Sequence, residues 1–217
     1  MYSDKFRFIL DTKDNTVGSR EVRKLSKRQK DILIGTLLGD GCLEVNGLYP
    51  RLRIDHTQAQ KEYVLWLFKE FASLRTGKPH DVKTLDKRFN KYYYHCRFST
   101  RSVPIFRLWR NLFYKGKRKI IPKDIVELVK SPLSLAVWYM DDGYRRKDCK
   151  GAYLCTSAYT ISEQKLLQKV LQRNFSLESR LHYAAGQVRI YIPAKNVESF
   201  FEKIKSYILP NFSYKLL

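Results

Sequence analysis

An apolar, glycine-spaced run that ends in a carboxylate occurs twice in this chain, and that repetition limits the fold more than any other feature. The first copy is Leu33-Ile34-Gly35-Thr36-Leu37-Leu38-Gly39-Asp40-Gly41; the second is Leu135-Ala136-Val137-Trp138-Tyr139-Met140-Asp141-Asp142-Gly143. Each has a helix-start signal upstream. Ser26 with Gln29 three residues on has the form of a capping box, and Ser131-Pro132 sets a cap before a proline at the first helical position. Gly41 and Gly143 then suit the left-handed position just past a helix end. Two helices that each deliver an aspartate at the C-terminal end imply two half-domains.

An aspartate there opposes the helix macrodipole, at a cost of a few tenths to about 1 kcal/mol. Doing so twice, in matching places, asks for a compensating cation. Gly35 and Gly39 lie four apart on one helix face, where missing side chains let another backbone come close. Packing along that seam would set Asp40 and Asp142 side by side. Adjacent carboxylates need a counter-charge to stay ionised, and two such acids beside water and a phosphodiester suit magnesium. Taken singly, an apolar run ending in Asp-Gly is ordinarily a core helix and its turn; the duplication is what speaks for a site.

The two nonapeptides resemble the motifs of the LAGLIDADG homing endonucleases of the double-motif type. In that family two such helices form the interface between pseudo-symmetric halves, and each contributes an acid to metal binding. Both copies keep the final Asp-Gly. The sixth position is Leu38 or Met140, and the small residues of the third and seventh positions, Gly35 and Gly39, become Val137 and Asp141 in the second copy. Close packing must therefore rest mainly on the first helix.

A net charge of +21, from 42 Lys and Arg against 21 Asp and Glu, points to a polyanionic partner. The basic residues are not gathered on one amphipathic helix as a membrane-surface binder would require. No apolar run approaches the roughly 20 residues of a membrane span, and nothing resembles a secretory signal. Cys42, Cys96, Cys149 and Cys155 form no C-x-x-C pair and read as free thiols in a reducing compartment, an organelle or a prokaryotic cytoplasm.

Residues 1–24 read as an arm. Residues 25–121 read as the first half and 122–217 as the second, with 121–130 as a linker. After Asp40, Asn46-Gly47 signals a hairpin turn, and residues 51–56 alternate with period two. A helix over 61–74, strands over 82–85 and 92–99, and a helix over 103–114 follow. The second half repeats the order with a helix to Met140, strands near 145–147 and 152–157, a helix over 162–174, a hairpin at 180–183 and 187–192, and a helix over 197–208. The fold class is thus α+β: two pseudo-symmetric αββαββα halves whose antiparallel sheets form a DNA-binding saddle, packed through the two motif helices.

Asp40 and Asp142 are the expected metal ligands, with the main-chain carbonyls of Gly39 and Asp141 beside them. The resemblance implies that Lys119 and Lys215 position water or stabilise the transition state, one in each half. Gln60 lies where relatives place a polar residue that orders water, and its counterpart is Tyr159. A sheet's polar face can lie in the major groove, where Arg reads guanine and Gln reads adenine. Candidate DNA-binding residues are Arg51, Arg53, Tyr93, His95 and Arg97 in the first half. Those of the second are Arg145, Arg146, Arg180, His182, Gln187 and Arg189. His56, His80, His95 and His182 lack metal-site spacing, which disfavours a zinc site.

The expected function is a monomeric, site-specific double-strand DNA endonuclease that needs two or more divalent cations, Mg2+ with Mn2+ able to substitute. The resemblance implies short 3′ overhangs, a long non-palindromic target and an intron-encoded homing role. The rival readings on the same fold are an RNA maturase that binds its own intron RNA and a non-cutting DNA-binding protein.

Overall fold

The computed structural model describes residues 24–184 and 186–216. The arm expected over 1–24 lies, apart from Lys24, outside the described residues. The first half runs α1 (Lys27–Leu38), β1 (Cys42–Asn46), β2 (Tyr49–Thr57), α2 (Lys61–Glu70), β3 (His80–Asp86), β4 (Lys91–Ser99) and α3 (Pro104–Phe113). A small hairpin, β5 (Tyr114–Lys115) and β6 (Arg118–Lys119), and the short α4 (Ile125–Leu128) lead to the second half. There α5 (Pro132–Asp142), β7 (Gly143–Arg145), β8 (Gly151–Leu154), α6 (Ile161–Phe175), β9 (Arg180–Ala184), β10 (Gln187–Pro193) and α7 (Ala194–Ile204) repeat the order. Among the described residues the two main sheets have matching strand orders, β1-β2-β4-β3 and β7-β8-β10-β9, with every pairing antiparallel.

Local chemistry starts the motif helices. Ser26 Oγ accepts from Gln29 N at 3.1 Å while Gln29 Oε1 accepts from Ser26 N at 3.1 Å, the reciprocal bonds of a capping box. Ser131 Oγ accepts from Leu133 N at 3.2 Å, ahead of Pro132 at the first helical position. Ile32–Leu38 and Leu133–Met140 are buried on all sides, as expected of helices that form the core between two sheets rather than one side of it.

The seam forms as the glycine spacing predicts. A Cβ on Gly35 would lie 2.6 Å from Val137 Cβ and from the Ser134 carbonyl oxygen, and one on Gly39 would lie 2.4 Å from Asp141 Cβ. Ser134 Oγ adds a bond across the pair, to Asp31 O at 2.8 Å.

The helix ends correct the glycine expectation. α1 stops at Leu38, capped by Gly39, and α5 runs past Met140 to Asp142, with Gly143 extended at φ −91°, ψ 152°. Gly41 and Gly143 are not left-handed caps; they are glycines because space is missing. A Cβ on Gly143 would lie 1.9 Å from the Tyr139 ring, and one on Gly41 2.7 Å from Thr36 Cβ.

The second sheet's first hairpin also differs from expectation. β7 starts directly after α5, and Arg146 N donates to Gly151 O at 2.9 Å, so 146–150 is a turn rather than strand. β8 ends at Leu154, short of 157, with Cys155 N adding one more bond in the register of the β7–β8 ladder, to the Asp142 carbonyl at 2.9 Å. α2 ends at Glu70, short of Leu74, and α7 ends at Ile204 before a 3-10 turn over Lys205–Tyr207. The segment 121–130 is no loose connection: Ile121, Ile125, Leu128 and Val129 are buried, and Asn174 Nδ2 donates to the carbonyls of Val126 and Val129. α2 and α3 back the first sheet and α6 and α7 the second, leaving one polar face of each sheet open.

Candidate active site

Where α1 and α5 meet, three carboxylates converge. Asp40 follows α1 with its side chain 51% exposed, whereas the side chain of Asp141 is wholly buried. Asp141 Oδ2 accepts from Asp40 N at 3.1 Å and its Oδ1 accepts from Tyr63 Oη at 2.8 Å. Burial, and then the charge of Asp40, push the carboxyl of Asp141 well above the ordinary range in spite of those bonds. The same two causes raise Asp142 to about 7 against the pull of Lys119 and Lys215. A cation between Asp40 and Asp142 would remove that conflict, and a set of carboxylate oxygens suits a hard divalent ion.

The compensating cations that the macrodipole calls for are lysines. Lys119 Nζ, from β6, donates to Gly39 O at 2.5 Å, and Lys215 Nζ, from the closing 3-10 turn, donates to Met140 O at 2.6 Å. Each takes up a carbonyl that the helix end would leave unpaired. Burial lowers both lysine pKa values, and the three aspartates oppose that effect. Gly39 O therefore already holds a proton donor, while Asp142 O is taken by Cys155 N.

Gln60 closes the 3-10 turn after β2 and faces the ring of His56, 3.1 Å from Oε1 to Nδ1. His56 Nδ1 also lies 3.7 Å from Asp40 Oδ2 and its Nε2 3.9 Å from Asp141 Oδ1. Asp40, His56 and Asp141 thus meet in space although no histidine has metal-site spacing along the chain. Tyr159, the counterpart of Gln60, instead donates from Oη to Leu38 O at 3.0 Å and helps close α1.

His56 and Tyr63 carry no sequence signal of these roles. His56 follows the alternation of β2 onto the covered side, and Tyr63 belongs to the apolar stripe of α2. A buried tyrosine hydroxyl nevertheless needs a partner, and that need was the available clue.

On the open face of the first sheet, Arg51 and Arg53 both pair with Glu44, at 2.5 and 2.9 Å. Arg97 pairs with Asp55 at 2.6 Å, His95 lies 3.4 Å from the same carboxylate, and Tyr93 stands exposed toward the hairpin tip. On the second sheet Arg189 donates to Tyr144 Oη at 2.8 Å and to Gln187 Oε1 at 2.7 Å. Arg146 pairs with Asp148 and reaches Tyr153 Oη, which also bonds His182, and Arg180 is exposed. The strand partner of Arg145 is Ala152, and Arg145 lines a pocket that also holds Tyr144, Arg146, Tyr214 and Lys215.

The sequence model of the LAGLIDADG DNA endonuclease family matches residues 30–200. The chain belongs to that family. The chain is 31% identical to the cytochrome b mRNA maturase bI2 of Debaryomyces hansenii over 201 residues, 89% of this chain and 75% of that protein. It is 29% identical to a probable intron-encoded endonuclease 1 of Wickerhamomyces canadensis, over 89% of this chain and 85% of that one. Among solved structures it superposes on the homing endonuclease I-WcaI bound to its DNA recognition sequence, with a TM-score of 0.83 and 27% identity across 90% and 88% of the two chains. As a LAGLIDADG chain it has the family's paired sheets and crossing motif helices, and among its described residues no helix is long and apolar enough to cross a membrane.

Proposed function

We propose that this chain is an intron-encoded homing endonuclease that cuts both strands of a long, non-palindromic DNA site by metal-dependent hydrolysis and leaves short 3′ overhangs. The observation that supports the reading is the hold of a lysine on the end of each motif helix, Lys119 on Gly39 O and Lys215 on Met140 O, beside the acids that follow. We assign residues 25–121 to one half and 122–217 to the other, acting together as a monomer in a reducing compartment.

Asp40 and Asp142 would hold the divalent ions, Mg2+ with Mn2+ as a substitute, with the carbonyls of Gly39 and Asp141 assigned beside them. Bound there, the metal supplies Lewis acidity for activating water and offsetting charge on the leaving oxygen. Lys119 and Lys215, desolvated and fixed on carbonyls, each present remaining N–H groups to the phosphate or its water. Gln60 orients the water on the first side. Arg51, Arg53, Tyr93, His95 and Arg97, together with Arg146, Arg180, His182, Gln187 and Arg189, read bases or grip phosphates along the saddle. The pairing of Arg51, Arg53 and Arg97 with Glu44 and Asp55 keeps those side chains extended and ordered before DNA arrives.

The test is a supercoiled plasmid carrying the fused exon junction into which the coding intron inserts, incubated with the protein and Mg2+. A single linear product that EDTA prevents is expected. The similarity to a maturase favours a second reading, in which the chain binds its own intron RNA and assists splicing. An intact junction together with faster splicing of that RNA would replace the endonuclease reading by this one.

A further inference from the structure

His56 leaves β2 on the helix-covered side of its sheet, and its side chain is 2% exposed. Gln60 Oε1 lies 3.1 Å from Nδ1, so the tautomer that satisfies this contact carries its proton on Nδ1 and leaves a lone pair on Nε2. That Nε2 is buried without a hydrogen-bond partner among the described residues. It faces another acceptor, Asp141 Oδ1, at 3.9 Å. A lone pair on Nε2 turned toward a carboxylate oxygen in a desolvated place asks for a positive centre between them, a proton when no ion is bound and a metal ion when one is.

The third side is Asp40: one ligand atom from each of Asp40, His56 and Asp141 lies within 4.8 Å of the others. Metal–ligand bonds of about 2.0–2.2 Å put neighbouring donors around a tetrahedral ion roughly 3.4 Å apart. The Nε2–Asp141 pair, at 3.9 Å, is near that spacing already; Asp40 Oδ2 stands 3.7 Å from Nδ1, the other ring nitrogen, and its exposed side chain would swing toward Nε2 to complete the set. The outer contacts that fix ligand orientation are also present: Gln60 on the far ring nitrogen, and Tyr63 and the Asp40 N–H on the carboxylate of Asp141. An imidazole in the donor set shifts preference from magnesium toward zinc, cobalt and nickel. In the second half the position matching His56 holds Cys155, so the imidazole site is built on the first half.

We propose that Asp40, His56 and Asp141 form a transition-ion site of the zinc or cobalt class, which shares Asp40 with the cutting site and so sets a competing ion against the productive one. The sharing rests on the endonuclease reading above; the donor set does not. The metal-free full chain titrated with Co2+ tests it. One equivalent should give visible ligand-field absorption, with affinity falling about tenfold or more in His56→Gln but holding in Asp142→Asn. In the wild-type protein, Co2+ should also produce a shifted, slowly exchanging imidazole N–H proton resonance, a readout that survives if His56→Gln does not fold. Unchanged Co2+ affinity in His56→Gln, absence of that resonance, or equal loss in Asp142→Asn would overturn the site. Mg2+-dependent cutting by the wild type is scored separately, so its failure counts against the endonuclease reading and not against the cobalt result.

Discussion

Lys119 and Lys215 hold the ends of the two motif helices one residue out of register with each other. Lys119 grips Gly39, the seventh motif position, and Lys215 grips Met140, the sixth. The offset follows the helices: α1 stops at Leu38, whereas α5 continues through Asp142. Asp40 therefore stands beyond its helix in solvent and Asp142 sits in the last turn, largely desolvated, so the two acids meet a substrate from unequal surroundings.

Replacing either lysine by methionine keeps the stem and removes the charge. Loss of one preorganised donor lowers cleavage by about 10²–10³-fold. If each lysine serves its own strand, supercoiled plasmid will halt at the nicked circle in both variants. Linear product forming at the wild-type rate would remove the lysines from the reaction.

Asp40→Asn and Asp142→Asn should each abolish double-strand cutting while DNA binding, read by gel shift in Ca2+, stays within a few-fold of wild type. On the proposed reading, binding draws on phosphate contacts from the sheet faces rather than on the acids. Either variant cutting normally would break the link between acids and chemistry.

Glu163 ties the halves together. It accepts from Arg118 at 3.1 and 3.0 Å, from Ile121 N at 3.2 Å and from Thr160 N at 2.8 Å, joining the β5–β6 hairpin to the start of α6. Burial alone would push its carboxyl up, but Arg118, Thr160 and Ile121 together bring it down to about 2 from 4.5. A depressed carboxylate stabilises the fold fully above its unfolded pKa and loses that contribution as pH falls through the folded one. Glu163→Gln should thus cost about 1–3 kcal/mol near neutral pH. The gap between the two denaturation curves should narrow from about pH 5 down to about pH 2. A gap that does not depend on pH would show that charge is not what Glu163 contributes.

Gly39→Ala forces a methyl group into the place of Asp141. Overpacking of this kind costs about 1–3 kcal/mol, and here it also displaces the carboxylate that holds the Asp40 N–H. Urea denaturation should report the stability loss, and cleavage should fall further than stability alone accounts for. An alanine variant as stable and active as wild type would mean that the helices can part at that point without consequence.

The elements whose causes are local were readable in the chain. Ser26 with Gln29, Ser131-Pro132 and Asn46-Gly47 place a cap, a helix start and a turn through chemistry within a few residues, and each forms. A fourth local signal, the capping box of Thr160 with Glu163, fixes the start of α6 at Ile161, one residue ahead of the expected position. Helix ends were less legible because Gly41 and Gly143 answer to Thr36 and Tyr139 rather than to backbone conformation. The place of the two late lysines beside the helix ends could be anticipated from the family resemblance. The convergence of His56, Tyr63 and Asp141 could not, since it depends on where β2 and α2 of one half meet the last turn of the other half's helix.

The contact between Gly39 and Asp141 also bears on symmetry. A two-fold symmetric dimer of identical halves could only set glycine against glycine or aspartate against aspartate at this crossing, because its interface is self-complementary. Bulk on one side matched by absence on the other is open only to halves that differ in sequence, as the two in this chain do. The halves of this protein are accordingly a lock and its own key: shuffling the second half into a relative would succeed only where the recipient offers a glycine opposite the incoming Asp141.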